Sequence, residues 1–384
     1  MSPSPDRLFT PRFFVMCGFT FTVFLSAFQL LPAAPFRIRE LGGSTLASGL
    51  FLGFLTFASA FSAPLTGAIA DRIGRPRALV IASLVIAGCS VVYAVTSNYR
   101  LMLALVVVHG VFWSALLTAS GAYMTNMLPA RRRAEGIGYW GLASVGALAV
   151  APPVAFWILR YGWAWLCACC VALNLVMAAI AWTLREDRLA DAERARQEHT
   201  TGPLLEWRVL VLSLTLFLYS FGYGAITTFS AVYADALGIT PKSIYLTTLA
   251  IVILLTRPLS GALADRIGHR QVFLPCLVLI ALGLAMLGLH GTRGSLVTSA
   301  LIFGLGFGTA YPVFIAYVMH DVDARRRGAA FGAVLLAFDT GVGSGSTVAG
   351  WLIQRFGFSA AFGTAAALSA IALPYFLLAD RRLR

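Results

Sequence analysis

Apolar stretches of about 18–25 residues recur along the chain, each long enough to cross a hydrocarbon layer of ~30 Å as a helix. They fall near 13–36, 44–66, 78–96, 101–123, 136–159, 164–184, 208–234, 243–260, 272–290, 295–318, 328–352 and 358–379, and the short breaks between them carry nearly all the charge. The pattern predicts twelve transmembrane helices. Spanning strands would alternate apolar and polar positions over segments of about ten residues, and no such alternation runs here. A helix satisfies its own backbone groups in lipid, so the fold class that follows is an all-α integral membrane bundle. The first stretch is too long for a signal-peptide core and lacks a following small-residue cleavage site, so it reads as the first span. The longest polar stretch, 185–207, reads as a cytoplasmic linker. It divides the chain into a six-helix unit at 1–184 and another at 208–384.

Composition agrees. Of 384 residues, 59% are hydrophobic and 12% charged, where a soluble domain keeps roughly a quarter charged. The net charge of +13 sorts along the topology. With the N-terminus inside, 21 Lys and Arg fall on the cytoplasmic side, among them Arg72, Arg75, Arg131 to Arg133, Arg266 and Arg325 to Arg327, against 7 outside. That bias places both termini in the cytoplasm of a cell whose inner membrane the chain spans. A nucleic-acid partner needs a basic soluble surface, which the predicted topology does not provide. The bilayer is the expected surrounding, and a monomer the expected state. The six cysteines all lie within predicted spans. Cys167, Cys169 and Cys170 have no neighbouring His or carboxylate, so they read as small packing residues, with no metal or cofactor expected. The 28 Arg to one Lys suggest a GC-rich bacterial genome.

The chain repeats itself. GAIADRIG at 67–74 and GALADRIG at 261–268 match at seven of eight positions with an offset of 194. The same offset aligns the ARRR runs at 130–133 and 324–327, Pro64 with Pro258, Gly138 with Gly332, and Ala122-Tyr123 with Ala316-Tyr317. Six spans per half give the halves the same orientation, as parallel repeats about an axis along the membrane normal. GAIADRIGRPR, after the second span, resembles the signature of the major facilitator superfamily, and GALADRIGHRQ after the eighth resembles its second copy. The resemblance covers essentially the whole chain. It implies two six-helix bundles that rock around a central site, lined by the first, fourth, seventh and tenth helices. It also implies that Asp71, at the inner end of the second helix, docks near the start of the eleventh, around Gly328 to Gly332, and that Asp265 docks near the fifth. A carboxylate there can face the positive end of a helix dipole. Gly67, Asp71, Arg72, Gly74 and Arg75, with Gly261, Asp265, Arg266 and Gly268, form the implied gating motif, which should govern turnover more than substrate choice.

Asp339 is the sharpest single residue. It lies about twelve residues, roughly 18 Å, into the eleventh helix, near the midplane, where acidic groups mark functional sites and proton relays. Its surroundings, FDTGVGSGS, are small and polar. A structural hydrogen bond to a neighbouring helix is the competing reading. His109, in the fourth helix, can also titrate, or can be a satisfied intramembrane histidine. Drug antiporters of the resembled family carry R-x-x-Q-G here, and this chain has Val106 and His109 in place of the arginine and glutamine. In the fifth helix ALAVAPPVA keeps Pro152 of the antiporter pattern but replaces its matched glycines with alanine, ending on Phe156. This leans towards export. Arg257, near the inner end of the eighth span, reads as a residue that snorkels to the surface.

The helices implied to line the cavity offer Phe21, Phe24, Phe28 and Gln29, then Trp113, Ser114 and Thr118, then Tyr219, Tyr223, Thr227 and Thr228, then Phe303, Phe307, Thr309 and Tyr311. Aromatic stripes often only pack, but together they suit an apolar or amphipathic solute. No central Lys or Arg is expected, which disfavours organic phosphates, nitrate and dicarboxylates. The chain has no G-x-x-x-x-G-K-[ST] run, so an ion gradient, most simply of protons, is the expected drive. The function expected is proton-coupled efflux of a small solute. Proton-linked uptake is the alternative, and a membrane sensor or membrane enzyme is the alternative of another class.

Overall fold

The computed structural model describes residues 8–129, 132–184, 207–289, 291–320, 322 and 326–383. They form α1 (Pro11–Glu40), α2 (Thr45–Ile73), α3 (Arg75–Val95), α4 (Tyr99–Met127), α5 (Arg133–Leu159), α6 (Trp163–Thr183), α7 (Trp207–Ala236), α8 (Ile244–Ile267), α9 (His269–Leu289), α10 (Arg293–His320), α11 (Arg327–Phe356) and α12 (Phe358–Leu383). All twelve expected helices are present, and the described residues contain no strand. By length and composition α1 to α7, α9, α10 and α12 can each cross a membrane, and α8 can as one span bent by 52° between Arg257 and Leu259. Pro258 is the residue between them, and a proline has no backbone N–H to continue the helical hydrogen bonding. α11 is long enough, but with Asp339 and its Gly, Ser and Thr residues it is not among the helices that pass as spans by composition. The linker, apart from Trp207, lies outside the described residues, as do Arg131 and Arg325.

Several helices overrun the hydrophobic stretches that announced them. α2 continues to Ile73 and α8 to Ile267, so the ADRI turns are helical rather than loop. Each helix stops at a glycine with positive φ, Gly74 at 98° and Gly268 at 97°, a conformation that disfavours any Cβ. The repeated motif glycine is thus a one-residue corner between two antiparallel helices. Pro76 then sits in the first turn of α3, where its missing N–H is no loss.

Two packing units result. One contains the described residues of 1–30 and 61–200, the other those of 31–60 and 201–384. The division cuts α1 and α2 midway, whereas the sequence repeat divides the chain at the linker.

In the first unit Phe13, Met16 and Phe19 pack with Leu79 and Ile86 of α3, and with Leu116 and Met124 of α4. Lipid tails are as apolar as leucine, so helices in a bilayer need close packing and polar ties. Trp140 Nε1 donates to Thr20 Oγ1 at 2.7 Å, Asn174 Nδ2 to Ser26 Oγ at 3.0 Å, and Trp163 Nε1 to the Tyr93 carbonyl at 2.7 Å. On α5, Ala147, Ala151 and Ala155 are fully buried, as expected of a small-residue face.

In the second unit α11 packs along α7, α9 along α10 and α12, and α8 along α10. α11 is tied on two sides. Ser220 donates to the Phe338 carbonyl at 3.3 Å, and Thr228 and Ser346 share a hydrogen bond of 2.7 Å. Towards α2, Ser346 Oγ donates to the Gly49 carbonyl at 2.8 Å, and the Leu46 N–H to Gln354 Oε1 at 3.2 Å. Backbones nearly touch along both contacts: a Cβ on Gly345 would fall on the Phe221 carbonyl, and one on Gly49 would meet that of Ser346.

At the inner end of the same unit, Asp380 of α12 is 2% exposed. It accepts from Arg270 Nε at 3.0 Å and from the Tyr317 hydroxyl. Asp380→Ala leaves both donors without this acceptor, and charged hydrogen bonds are worth about 1.5–3 kcal/mol each before discounting for the partly exposed arginine. The expected result is a clearly lower unfolding midpoint in detergent. An unchanged melting curve would show the triad to be idle.

Candidate functional site

The two motif copies differ in the ties they make. In the first, Arg75 closes back on Asp71, with Nη2 at 3.2 Å and Nε at 3.4 Å from Oδ1. Its Nη1 reaches the Ala122 carbonyl of α4 at 3.5 Å. In the second copy His269 stands at the equivalent position, 3.9 Å from Asp265. Arg72 and Arg266 are exposed. Gly67 and Gly261 have open space where a Cβ would go, so only Gly74 and Gly268 of the four motif glycines are required by backbone shape. Arg75→Gln frees the α2–α3 corner from α4. The expected effect is about a tenfold lower maximal transport rate with KM within about twofold, the signature of a step outside substrate binding. A raised KM at full rate would contradict it.

Deeper in the second unit, α7, α10 and α11 bring the expected aromatic residues together. Tyr223 stacks on Phe307 with centroids 4.4 Å apart, and Phe303 stacks on Phe307 at 5.3 Å. Tyr219 meets Phe307 edge-on at 6.1 Å, and Tyr311 packs on Phe338 at 5.0 Å. Phe338 draws α11 into this wall, although the family resemblance places α11 outside the lining helices. Thr227 is buried and its hydroxyl donates to the Tyr223 carbonyl at 2.8 Å. Thr228 faces Ser346, so neither threonine offers a free donor.

Asp339 is half-buried beside this wall. Its Oδ2 accepts from Ser59 Oγ of α2 at 3.1 Å. The interhelical hydrogen bond weighed against function is therefore present, and it leaves Oδ1 without a hydrogen bond among the described residues. Tyr311 lies within electrostatic reach of both Asp339 and Arg257, and Arg257 within reach of Tyr223.

Arg257 thus corrects two expectations. It is not at the inner end of its helix, since α8 continues ten residues further to Ile267. It is half-buried at the bend, beside two tyrosines of the aromatic wall. A central cation therefore exists, contrary to the sequence reading. Gly304 and Gly308 explain its position. α8 comes so close to α10 that a Cβ on Gly308 would meet Thr256 Oγ1 at 3.0 Å. The turn carrying Arg257 is thereby set against the turn carrying Tyr311.

The expected residues of the first unit are more internally engaged. Trp113 packs edge-on against Phe24 at 5.4 Å, and Phe24 against Phe28 at 5.6 Å. Ser114 shares a hydrogen bond with Thr66 at 3.2 Å, and Thr118 donates to the Ser114 carbonyl at 2.8 Å. Gln29 is buried, with Cys169 of α6 as its neighbour. His109 is 4% exposed and stacks on Tyr93 of α3, centroids 6.1 Å apart. It is part of the α3–α4 contact, and its Nδ1 has no hydrogen-bond partner among the described residues.

Twelve helices among the described residues, two sequence-related halves, a repeated corner motif, and a carboxyl beside an aromatic wall make up a polytopic membrane protein, and its family is one of transporters rather than enzymes. The Major Facilitator Superfamily model matches residues 16–250 and 212–384, and the chain belongs to that family. It is 27% identical over 380 residues to an uncharacterised MFS-type transporter of Burkholderia mallei, covering 96% of this chain and 92% of that one. Among solved structures it is similar in fold to a bacterial homologue of the human lysosomal transporter Spinster, with a TM-score of 0.81, 14% identity and 96% of each chain covered. It is also similar to a D-xylose–proton symporter, with a TM-score of 0.75, 16% identity, and 95% and 97% covered.

Proposed function

We propose that this protein is a proton-coupled secondary transporter of the bacterial inner membrane. Both termini are cytoplasmic, and by alternating access it exports a small amphipathic organic solute. The observation that carries the reading is Asp339: an acidic side chain within a membrane helix, held by one serine and facing the aromatic wall. Such a group can cross between the two sides of a transport cycle as the neutral acid, and acidic residues in spans serve as proton relays. The fold is similar to that of a structure named as a D-xylose–proton symporter, which supports the reading. Tyr219, Tyr223, Phe307 and Tyr311 supply a surface for an apolar body with a few polar points. The antiporter-like run around Pro152 in α5 supports export. The motifs around Asp71 and Asp265 act as the gate.

The test is proton movement in sealed proteoliposomes carrying an imposed pH gradient, as organic cations, anions and neutral amphiphiles are added. A solute that dissipates the gradient with wild-type protein and not with Asp339→Asn supports the reading. Equal responses from both proteins would end it.

A further inference from the structure

α1 and α2 each change packing unit midway. Residues 31–60 are the last part of α1, the corner after it and the first part of α2. They pack with the second unit, whereas the described residues up to 30 and those from 61 onward in α2 belong to the first. Prolines mark both crossing points, Pro32 in α1 and Pro64 in α2. A proline has no N–H for the carbonyl four residues before it, so the Phe28 and Ala60 carbonyls each lose their helical donor. The two missing rungs, 28–32 and 60–64, straddle the two crossings, between 30 and 31 and between 60 and 61. Helices bend most readily at such rungs.

The segment between the crossings holds together and is fastened to the rest of its unit at three levels. Ser48 Oγ of α2 donates to the Pro35 carbonyl of α1 at 3.3 Å, which joins its two legs. Near its tip Lys242 Nζ lies 4.8 Å over the Phe36 ring and pairs with Asp235 of α7 at 2.7 Å. Along its length Gly49 faces Ser346 of α11, Gly53 faces Gly343 and Thr347, and Gly350 faces Thr45 and Leu46. At its base Ser59 bonds Asp339. Small residues on both sides let the two backbones come close, and such a seam can part and re-form without repacking large side chains.

We propose that residues 31–60 form a hinged flap against the outer half of α11, which lifts by bending α1 at Pro32 and α2 at Pro64. The structure holds it shut. The inference rests on the alternating-access reading and supplies its outer gate. It makes that gate a local hairpin rather than a rocking six-helix bundle, and it does not depend on which ion drives transport.

The test reads flap opening without cargo or gradient. The full chain carries Thr347→Cys, in right-side-out and inside-out vesicles. A Cβ on Gly53 would fall on the Thr347 hydroxyl, so this side chain lies under the flap. A membrane-impermeant thiol reagent is added, and labelling at position 347 is followed by peptide mass spectrometry, which separates it from the six native cysteines. Arg355→Cys, exposed near the end of α11, reports which face is outer.

The expected result is slow labelling of Thr347→Cys from outside. Adding Gly49→Ala, whose new carbon would fall on the Ser346 carbonyl, wedges the flap and should raise the rate at least about tenfold, since overpacking penalises only the closed seam. Gly350→Ala, with a carbon 2.8 Å from the Thr45 carbonyl, applies the same wedge from the other helix and covers a folding failure of the first. Pro32→Ala with Pro64→Ala restores both rungs, stiffens the hinges and should lower the rate at least about fivefold.

Unchanged labelling with both wedges would overturn the flap as the gate. Unchanged or faster labelling in the double proline variant would overturn the hinges and return the opening to whole bundles. Labelling of Arg355→Cys from the cytoplasmic face alone would overturn the placing of the flap on the outer side. Failure of proton coupling at Asp339 would leave all these rates as they are, so the two readings fail separately.

Discussion

Asp339→Asn is expected to retain solute counterflow while losing solute-driven proton movement and gradient-driven accumulation. The substitution is close in shape, and the amide can still accept from Ser59 through its oxygen, so the α2–α11 tie of 3.1 Å survives. What disappears is the ability to gain and lose a proton. A group that merely stabilises the helix pair would show the reverse pattern, with reduced counterflow in proportion to reduced stability and coupling intact in what remains. Ser59→Ala separates the two roles further. It removes the tie and leaves the acid, so it should lower stability by about 0.5–1.5 kcal/mol, a typical intramolecular hydrogen bond, and leave coupling in place. Retained coupling in Asp339→Asn would instead make His109, packed against Tyr93, the leading proton carrier.

Gly345→Ala is expected to be among the most damaging substitutions in the chain although it adds a single carbon. The new Cβ would coincide with the Phe221 carbonyl of α7. A flexible side chain could swing away, but a helical backbone cannot. α7 and α11 must separate, and overpacking of this kind costs about 1–3 kcal/mol or more. Separation also strains the Thr228–Ser346 bond of 2.7 Å and the Ser220 bond to the Phe338 carbonyl. The measurement is the unfolding midpoint of purified protein in detergent, alongside Gly67→Ala as the control. Gly67 lies in a helix with nothing within 4 Å of a Cβ, so alanine there should be neutral or gain up to about 1 kcal/mol of helix propensity. Equal melting of the two variants would mean that the α7–α11 contact is looser than its geometry implies.

The helices and the duplication are legible in the sequence because both are written in one dimension, as lengths of apolar run and a constant offset. The gathering of Tyr219, Tyr223, Phe307 and Tyr311 is legible too, through the family resemblance. Sequence reading fails where a helix leaves the hydrocarbon. Asp265 and Arg266 look like the start of a loop, so hydropathy ends α8 too soon and puts Arg257 at a surface rather than at a bend. Hydropathy locates the lipid boundary, and α8 simply continues past it. Ser59 carries no signal at all: a serine in an apolar run does not say which helix it will bond. Gly49 and Gly53 do form a small-residue step in the sequence of α2, but that α11 fills it depends on three-dimensional packing. His109 shows the same limit from the other side, since helix periodicity sets its angle and not whether α3 occupies that face.

The lone carboxyl at mid-depth of α11 also bears on energetics. One such group can ferry one proton per cycle. Under the proposed export, a proton moving inward against a neutral solute moving outward shifts one positive charge into the cell in each turnover. A membrane voltage contributes about 2.3 kcal/mol per charge for every 100 mV. The transporter would therefore run on voltage even where the two sides of the membrane have the same pH, with a single acidic side chain sufficing for the chemistry.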